Sequence, residues 1–339
     1  MEHLPATAPG ATGIAIAIRQ RDRELVLVGG TTDRRDPRPV TGRTRFELGS
    51  LTKTFTGLLL ADMATRGEVD PADPVQLHLP PGAAPDLGRE VTLERLATHT
   101  SGLPRLPPGL RRAALPHWRT NPYRDFDADD FAAALRRVRP GPPGRYRYSN
   151  LGGALLGRAL ANAGGLPYEE LLAERVLRPL NLHDTDFSTS EQVTGHLRGR
   201  PRPPWEIPGM LAAGGLRSSA SDMLGYLTAH LPPLTSPLGR ACAEVTRSPV
   251  PVGDHEVCLV WNLRRRADRE LLFHSGGTRG CTTFAAFSPS TATAFVALVN
   301  AGPTVGNSFV QRAYEAAWAL AERAAETRPA EGSAAATTR

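Results

Sequence analysis

A serine and a lysine three residues apart lie in the stretch FELGSLTKTFTGLLL, residues 46–60. Lys53 is the only lysine in the 339 residues, although the chain holds 40 lysines and arginines together. Arginine stays protonated at any pH that a protein meets, whereas a buried lysine can lose its proton and act as a base. The pair Ser50 and Lys53 therefore predicts a nucleophile and its general base.

The residues that follow predict how this pair is held. Apolar side chains recur at helical spacing and Gly67 lies where a glycine cap would end a helix, so a helix is predicted from Ser50 to Gly67. A serine at a helix N-terminus lies beside free N–H groups, and a residue at i+3 lies on the same face. The alternative is that Ser50 only caps the helix, because S-x-x-K alone is a weak signal.

Two further stretches could bring chemistry to the same place. The sequence GPPGRYRYSNLGGALLGRAL contains Tyr148, Ser149 and Asn150 on a loop just before a predicted helix. The sequence LLFHSGGTRGCTTFAAFSP contains the motif His-Ser-Gly-Gly near a predicted strand edge. Taken alone, Tyr148 fits a half-buried tyrosine with its hydroxyl satisfied locally, and Asn150 fits an ordinary helix N-cap.

Composition narrows the function classes. The net charge of +6 and the pI near 9.7 come from dispersed arginines without a basic run, which argues against nucleic-acid binding. Three widely spaced cysteines predict reduced thiols, and no group of His, Cys, Asp and Glu has metal-ligand spacing. The sequence predicts no cofactor, no metal, no membrane span and no export signal, and hence a cytoplasmic location.

The order of the predicted elements indicates the fold class. Two β-rich runs at 13–18 and 24–30 predict a hairpin near the N-terminus. The residue pattern of the C-terminal half predicts helices at 221–230 and 305–326. It also predicts strands at 257–263, 282–288 and 293–300. We therefore predict an α/β (α+β) protein in which one antiparallel sheet is flanked by helices.

The central part of the chain predicts a separate unit. From about residue 67 to residue 200 the pattern is helical segments broken by proline-rich loops. This pattern predicts an inserted all-helical lobe at 67–204, an α/β lobe formed by 1–66 together with 205–326, and a disordered tail at 327–339. The functional site would lie in the cleft between the lobes.

With three motifs in this order, the sequence resembles the serine β-lactamase and penicillin-binding protein superfamily, in particular its class C β-lactamase-like branch of β-lactamases, D-alanyl-D-alanine carboxypeptidases and esterases. The resemblance runs from about residue 13 to residue 300 and includes the stretches LATHTSGLP, RPLNLHDTDF, AAGGLRSSASDM and HSGGTRG. The chain has no G-x-S-x-G elbow, which argues against an α/β-hydrolase.

The resemblance implies a role for each motif residue. Ser50 would be acylated, Lys53 would help to remove its proton, and Tyr148 would pass that proton to the leaving group. The backbone N–H groups of Ser50 and Gly277 would form the oxyanion hole. The remaining motif residues would contact the substrate, and these are Asn150, His274, Ser275 and Gly276. Asn150 would also orient Lys53.

The departures from the family pattern affect the expected substrate. His274 stands where class C β-lactamases carry a lysine, so a fixed cation is lost and attraction for a β-lactam carboxylate should be weaker. We predict a cytoplasmic serine hydrolase that cleaves a small-molecule ester or amide through an acyl-Ser50 intermediate. The alternatives are a transacylase that passes the acyl group to an amine or alcohol, and a catalytically silent binding protein.

An arginine-rich loop at 195–210 is predicted to border the cleft. Arg198, Arg200 and Arg202 alternate along it, which in an extended chain would place them on one side. The favoured interpretation is a solvated hinge. The sharper one is that the three arginines steer an anionic substrate towards Ser50.

Overall fold

The structure is a computed structural model that describes residues 7–247, 249–267 and 269–326. The strands are β1 (Gly13–Gln20), β2 (Arg23–Gly30), β3 (Arg45–Glu47), β4 (His196–Leu197), β5 (Arg200–Pro201), β6 (Arg217–Ser219), β7 (Val250–Val252), β8 (His255–Val257), β9 (Asn262–Arg266), β10 (Arg269–Gly277), β11 (Thr282–Ser288) and β12 (Thr293–Val299). The helices are α1 (Thr52–Thr65), α2 (Leu93–Ala97), α3 (Leu110–Ala113), α4 (Ala128–Leu135), α5 (Asn150–Gly164), α6 (Tyr168–Leu172), α7 (Leu211–Gly214), α8 (Ala220–Thr228), α9 (Gly239–Val245) and α10 (Phe309–Glu326).

Eight strands form one antiparallel sheet in the order β2-β1-β12-β11-β10-β9-β8-β7. The N-terminal hairpin joins the C-terminal strands because β1 pairs with β12 along Ile14↔Val299 to Gln20↔Thr293. The two ends of the chain therefore build one sheet, and the predicted class, an antiparallel sheet flanked by helices, is confirmed.

The alternation of side chains along the strands explains how helices cover both faces. Ile14, Ile16 and Ile18 of β1 join a buried cluster with α10, where Phe309 and Trp318 pack. The intervening small residues of β1 point to the opposite face, which packs against α8. Successive side chains of a strand point to opposite faces, so an Ile/Ala alternation fits a larger gap on one side than on the other.

The segment at 67–204, predicted as the inserted lobe, contributes no strand to the eight-stranded sheet within the described residues. Its helices are α2 to α6. The expectation that it is all-helical is wrong at its end, because β4 and β5 form a short hairpin around Arg198 and Gly199. The two-lobe division stays a prediction, and the predicted disordered tail at 327–339 lies outside the described residues.

The predicted strand at 257–263 is also wrong. β8 ends at Val257 and β9 begins at Asn262, and the apolar residues between them form a tight turn in which Val260 has a φ of +73°. The Val260 N–H donates to the Ala97 carbonyl at 3.1 Å, so this run is buried against α2 and not in a ladder. Burial alone does not distinguish a strand from a packed turn.

The other predicted elements differ from the structure mainly at their ends. Strand 282–288 is confirmed at both ends, and the final helix begins at Phe309 and not at Val305, which is exposed. The sequence prediction missed β7, β8 as a separate strand, and β10, whose ends carry charged residues and glycines. None of the described helices combines the length and the apolar character that crossing a bilayer requires.

Candidate active site

Ser50 lies on a single 3₁₀ turn, Gly49–Leu51, that leads directly into α1. The predicted helix therefore begins two residues later than expected, at Thr52. Gly49 has a φ of +54°, a conformation that a Cβ atom disfavours, and this bend presents Ser50 at the surface of the core. α1 itself is buried on nearly all sides, so Ser50 is fixed to a rigid element.

Lys53 lies one turn further along and is buried, with 1% of its surface exposed. Its Nζ donates to Ser50 Oγ at 3.1 Å and to the Ala213 carbonyl at 2.5 Å. Burial, and to a smaller extent the charge of Arg105, lowers the pKa of Lys53 to about 7. Close to neutral pH, a large fraction of Lys53 is therefore a neutral amine with a free lone pair.

Tyr148 approaches Ser50 from the other side. Its phenol O–H donates to Ser50 Oγ at 2.6 Å, and Lys53 Nζ lies 5.1 Å from the centre of its ring. Burial raises the pKa of Tyr148, while the hydrogen bond to Ser50 and the charge of Arg105 oppose that rise. Tyr148 is therefore a neutral phenol at neutral pH, with a proton that it can donate.

His99 supports the tyrosine from behind. Its ring centre lies 4.5 Å from that of Tyr148, and its Nδ1 accepts a hydrogen bond from the Ser149 N–H at 3.3 Å. Burial and the nearby charge of Lys53 hold the pKa of His99 well below its usual value. His99 is thus a neutral ring that packs in the site.

Asn150 is the first residue of α5, and the N-cap is Ser149, whose Oγ accepts from the Gly152 N–H at 2.8 Å. The alternative that Asn150 caps this helix is therefore wrong. Its Nδ2 donates to the Tyr123 hydroxyl at 3.1 Å, and its Oδ1 is buried without a protein partner among the described residues. Asn150 thus bonds to Tyr123 and not to Lys53 as expected, and its amide oxygen is left to accept a further hydrogen bond.

The third motif lies at the end of β10. β9 pairs with β10 only as far as Phe273. Residues 274–277 therefore pair with β11 on one side, and their other edge is unpaired among the described strands and faces Ser50. His274 is buried, and burial together with the charge of Lys53 lowers its pKa to about 3. At neutral pH this wall of the site therefore carries an uncharged imidazole, and Ser275 beside it is exposed.

The glycines of this motif allow β10 to approach the turn that holds Ser50. A Cβ on Gly276 would lie 2.0 Å from the Leu48 carbonyl oxygen, and a Cβ on Gly49 would lie 2.7 Å from the Gly277 nitrogen. Only glycine permits such backbone approaches. The amide of Gly277 therefore comes close to the turn that holds Ser50, where the sequence predicted an oxyanion hole.

These residues line one open pocket of about 580 Å³. Its lining includes Ser50, Tyr148, Asn150 and residues 274–277, and Lys53 lies directly behind Ser50. A second cavity of about 610 Å³ lies beside α5 and α6 and contains none of the predicted site residues. The predicted residues thus converge in one place, although they are up to 227 positions apart in the chain.

The sequence prediction missed several residues of this pocket. Arg105, Tyr123, Tyr146 and Trp205 form part of its wall. Arg105 directly follows the stretch LATHTSGLP and Trp205 lies in the loop 195–210, so both lie beside segments that the sequence had indicated. Tyr146 lies two residues before Tyr148 in a stretch that the sequence had indicated, whereas nothing in the residue spacing signals that Tyr123 reaches the pocket.

A buried acid holds three of the surrounding segments together. Glu47, which is 3% exposed, accepts hydrogen bonds from the Trp205 N–H at 2.7 Å and from the Thr278 hydroxyl at 2.5 Å. Arg217 donates to the carbonyls of Gly215 and Trp205. This network ties the Ser50 turn, the end of β10 and the Trp205 loop into one frame.

The arginines at 198, 200 and 202 do not line the pocket. Arg198 occupies the turn of the β4–β5 hairpin with a φ of +53°, so the segment is not extended there. Trp205 and Ile207 are the residues of this loop that border the pocket. The steering hypothesis for these three arginines therefore loses its geometric basis.

Two other features bear on the chemistry. Cys242, Cys258 and Cys281 are buried and free, as expected for reduced thiols. Burial raises the pKa of Cys242 and of Cys258 to about 12, so neither is a reactive thiolate. Within the described ranges, no group of three or more His, Cys, Asp and Glu side chains could hold a metal ion.

The chain is similar in sequence to curated bacterial proteins. The chain is 35% identical over 229 residues to the D-alanyl-D-alanine-carboxypeptidase/endopeptidase AmpH of Escherichia coli, covering 66% of this chain and 58% of that protein. It is 30% identical over 231 residues to a beta-lactamase of Escherichia coli, covering 66% of this chain and 57% of that protein. The chain thus spans less than two thirds of the length of these curated relatives.

The fold also matches solved structures. A class C beta lactamase from Rhodobacter sphaeroides superposes with a TM-score of 0.79 at 24% identity, covering 92% of this chain and 95% of that one. The family model described as Beta-lactamase matches residues 2–319, which is nearly the whole chain. This protein therefore belongs to the beta-lactamase family.

Proposed function

We propose that this protein is a serine hydrolase that cleaves an ester or amide through an acyl-Ser50 intermediate. The observation that carries the proposal is the position of Ser50 Oγ, 3.1 Å from Lys53 Nζ and 2.6 Å from the Tyr148 hydroxyl. A nucleophile, a base with a pKa of about 7 and a neutral proton donor thus meet at one oxygen atom.

Acylation follows from these positions. The neutral amine of Lys53 takes the proton of Ser50 as Oγ attacks the carbonyl carbon of the substrate. The Ala213 carbonyl, 2.5 Å from Nζ, accepts a hydrogen bond from the resulting ammonium and stabilises it. The negative charge on the substrate oxygen would be held by the N–H groups of Ser50 and Gly277.

Collapse of the tetrahedral intermediate breaks the bond to the leaving group. The Tyr148 phenol, which stays protonated because burial raises its pKa, gives its proton to the departing oxygen or nitrogen. The proton held by Lys53 then restores the phenol. In deacylation water takes the place of the leaving group, the same groups act in reverse, and free Ser50 is regenerated.

The neutral wall formed by His274 favours esters and simple amides over β-lactams. A pKa of about 3 leaves this imidazole uncharged at neutral pH, so it offers hydrogen bonds without a fixed charge for a carboxylate. The names of the relatives support both amide and β-lactam cleavage as possible reactions of the family. The transacylase alternative and the cytoplasmic location stay predictions.

The test is intact-mass spectrometry after incubation with a p-nitrophenyl ester, an acyl thioester and a penicillin. We expect a mass increase equal to the acyl group, together with turnover of the ester. Ser50→Ala should abolish the adduct and lower turnover by at least about a thousand-fold. Ser290→Ala, which removes an exposed serine from the β11–β12 turn, is the matched control and should behave as the wild type. An adduct that persists in Ser50→Ala would overturn the proposal.

A further inference from the structure

Arg105 is an exposed side chain at the pocket that none of the steps above uses. Its guanidinium carbon lies 5.2 Å from the centre of the Tyr148 ring, within the distance of a cation–π contact. No carboxylate of the described residues forms an ion pair with it, and no aspartate or glutamate lines the pocket. Arg105 is therefore a permanent positive charge beside the nucleophile that lacks an anionic partner within the described chain.

The electrostatic effects of Arg105 show which part of the pocket it faces. Its positive charge lowers the pKa of Lys53 and opposes the rise in the pKa values of Tyr123, Tyr146 and Tyr148. The charge that acts on His274 from within the site is that of Lys53. Arg105 thus belongs to the tyrosine wall of the pocket, and the β10 wall opposite remains uncharged.

We propose that Arg105 recognises a carboxylate on the substrate, at a subsite bounded by Tyr123, Tyr146 and Tyr148. This inference rests on the proposed function and adds a substrate class to it, namely esters or amides that carry a second, anionic group. His274 supplies no positive charge on the β10 wall. Arg105 supplies one on the other side of Ser50.

The chemistry of the subsite suits a carboxylate. A guanidinium presents its N–H donors in a planar fork that matches the two oxygens of a carboxylate. The cation–π contact with the Tyr148 ring positions the guanidinium at the pocket, so less side-chain freedom is lost when an anion binds. The arginines at 198, 200 and 202 do not line the pocket, although they are of the same residue type.

The carboxylate could belong to the acyl group or to the leaving group, and two matched pairs of esters distinguish these cases. Mono-4-nitrophenyl adipate and 4-nitrophenyl adipamate differ by a charge on the acyl side. 4-Acetoxybenzoate and 4-acetoxybenzamide differ by a charge on the leaving group. For each pair, the ratio of kcat/KM for the charged ester to that for the neutral ester isolates the effect of the charge.

We expect Arg105→Gln to lower this ratio by about five- to ten-fold for one of the pairs at low salt, and by less at high salt. Arg105→Lys should retain part of the preference, because it keeps the charge and loses the fork. Arg112→Gln removes a charge that is also exposed, on α3 and outside the pocket, and should leave the ratio unchanged. Equal ratios for wild type and Arg105→Gln with both pairs would overturn the inference.

A binding measurement keeps this test independent of turnover. Calorimetry with the Ser50→Ala protein and 4-acetoxybenzoate or mono-4-nitrophenyl adipate reports recognition without acyl transfer. Weaker binding of one charged ester, but not of its neutral partner, after adding Arg105→Gln would support the subsite even if the wild type proved inactive. Unchanged binding of both charged esters would overturn it, whatever the activity of the wild type.

Discussion

The interior end of the pocket and its mouth each carry one cation, and the two have opposite properties. Lys53 is 1% exposed, and burial lowers its pKa to about 7. Arg105 is exposed, and a guanidinium keeps its charge at any pH that the protein meets. Burial converts the inner cation into a base, whereas exposure leaves the outer one as a charge that can bind an anion.

This difference suggests why the chain has a lysine at position 53 and arginines elsewhere. At solvated positions either cation is adequate, so the strong bias of the composition towards arginine places arginine there. In the proposed mechanism the side chain at position 53 must lose a proton within reach of Ser50 Oγ, and arginine cannot do so. The comparison therefore predicts that substitutions at Lys53 and at Arg105 change different properties of the protein.

The largest effect should come from Lys53→Arg. The variant keeps a positive charge but cannot accept the Ser50 proton, and the longer side chain must fit beside Gly153, where Lys53 already packs closely. We expect kcat/KM for a neutral ester to fall by about a thousand-fold, as in Lys53→Ala. An arginine variant with more than about a tenth of wild-type activity would show that charge alone is sufficient.

Stability should change in the opposite direction from activity. The pKa of Lys53 is about 7 in the folded protein and 10.5 when the side chain is free, so the unfolded chain binds more protons between these values. The free energy of unfolding should therefore rise with pH from about 7 to 10.5. Lys53→Met should be more stable than the wild type at pH 6, by about 3 kcal/mol in urea unfolding, and should lose this part of the pH dependence.

A Met variant that is less stable than the wild type at pH 6 would contradict the claim that burial of the ammonium is costly. Arg105→Gln is the matched control for this experiment. Because its side chain is exposed, the substitution should leave the free energy of unfolding within about 0.5 kcal/mol of wild type.

A smaller effect concerns β-lactams. With His274 uncharged, we expect kcat/KM for a penicillin to lie at least about ten-fold below that for a simple ester. The ratio of kcat/KM for the penicillin to kcat/KM for the ester should stay constant from pH 8 down to about pH 5.5, because a pKa of about 3 keeps the imidazole neutral throughout. A ratio that climbs below about pH 6.5 would indicate an imidazole with an ordinary pKa.

The smallest effect links the two cations. Lys53 must be neutral to act, so kcat/KM for a neutral ester should rise with pH through a limb near 7. Arg105 lowers the pKa of Lys53 as the second cause after burial, and removing its charge raises that pKa. In Arg105→Gln the rise of kcat/KM with pH should therefore occur at higher pH than in the wild type, by less than about one pH unit. A limb that moves to lower pH would contradict this coupling.

Much of the fold and of the site could be predicted from local patterns. The spacing of Leu51, Phe55 and Leu58 indicated the helix that became α1, and all three side chains are fully buried. The hairpin of β1 and β2 followed from two β-rich runs around a polar turn. The strand predicted at 257–263 was wrong because these side chains are buried in a turn. Apolar content indicates burial and not backbone conformation.

The sequence by itself determined the reactive groups, because S-x-x-K, Tyr148 to Asn150 and the His-Ser-Gly-Gly motif are local patterns whose residue types carry the chemistry. Only the tertiary structure decided their environments. The pKa of Lys53, the neutral state of His274 and the amide partner of Asn150 depend on segments far away in the chain. Arg105 became a candidate for substrate recognition only in the folded protein, since solvation and distance are properties of packing that no residue spacing contains.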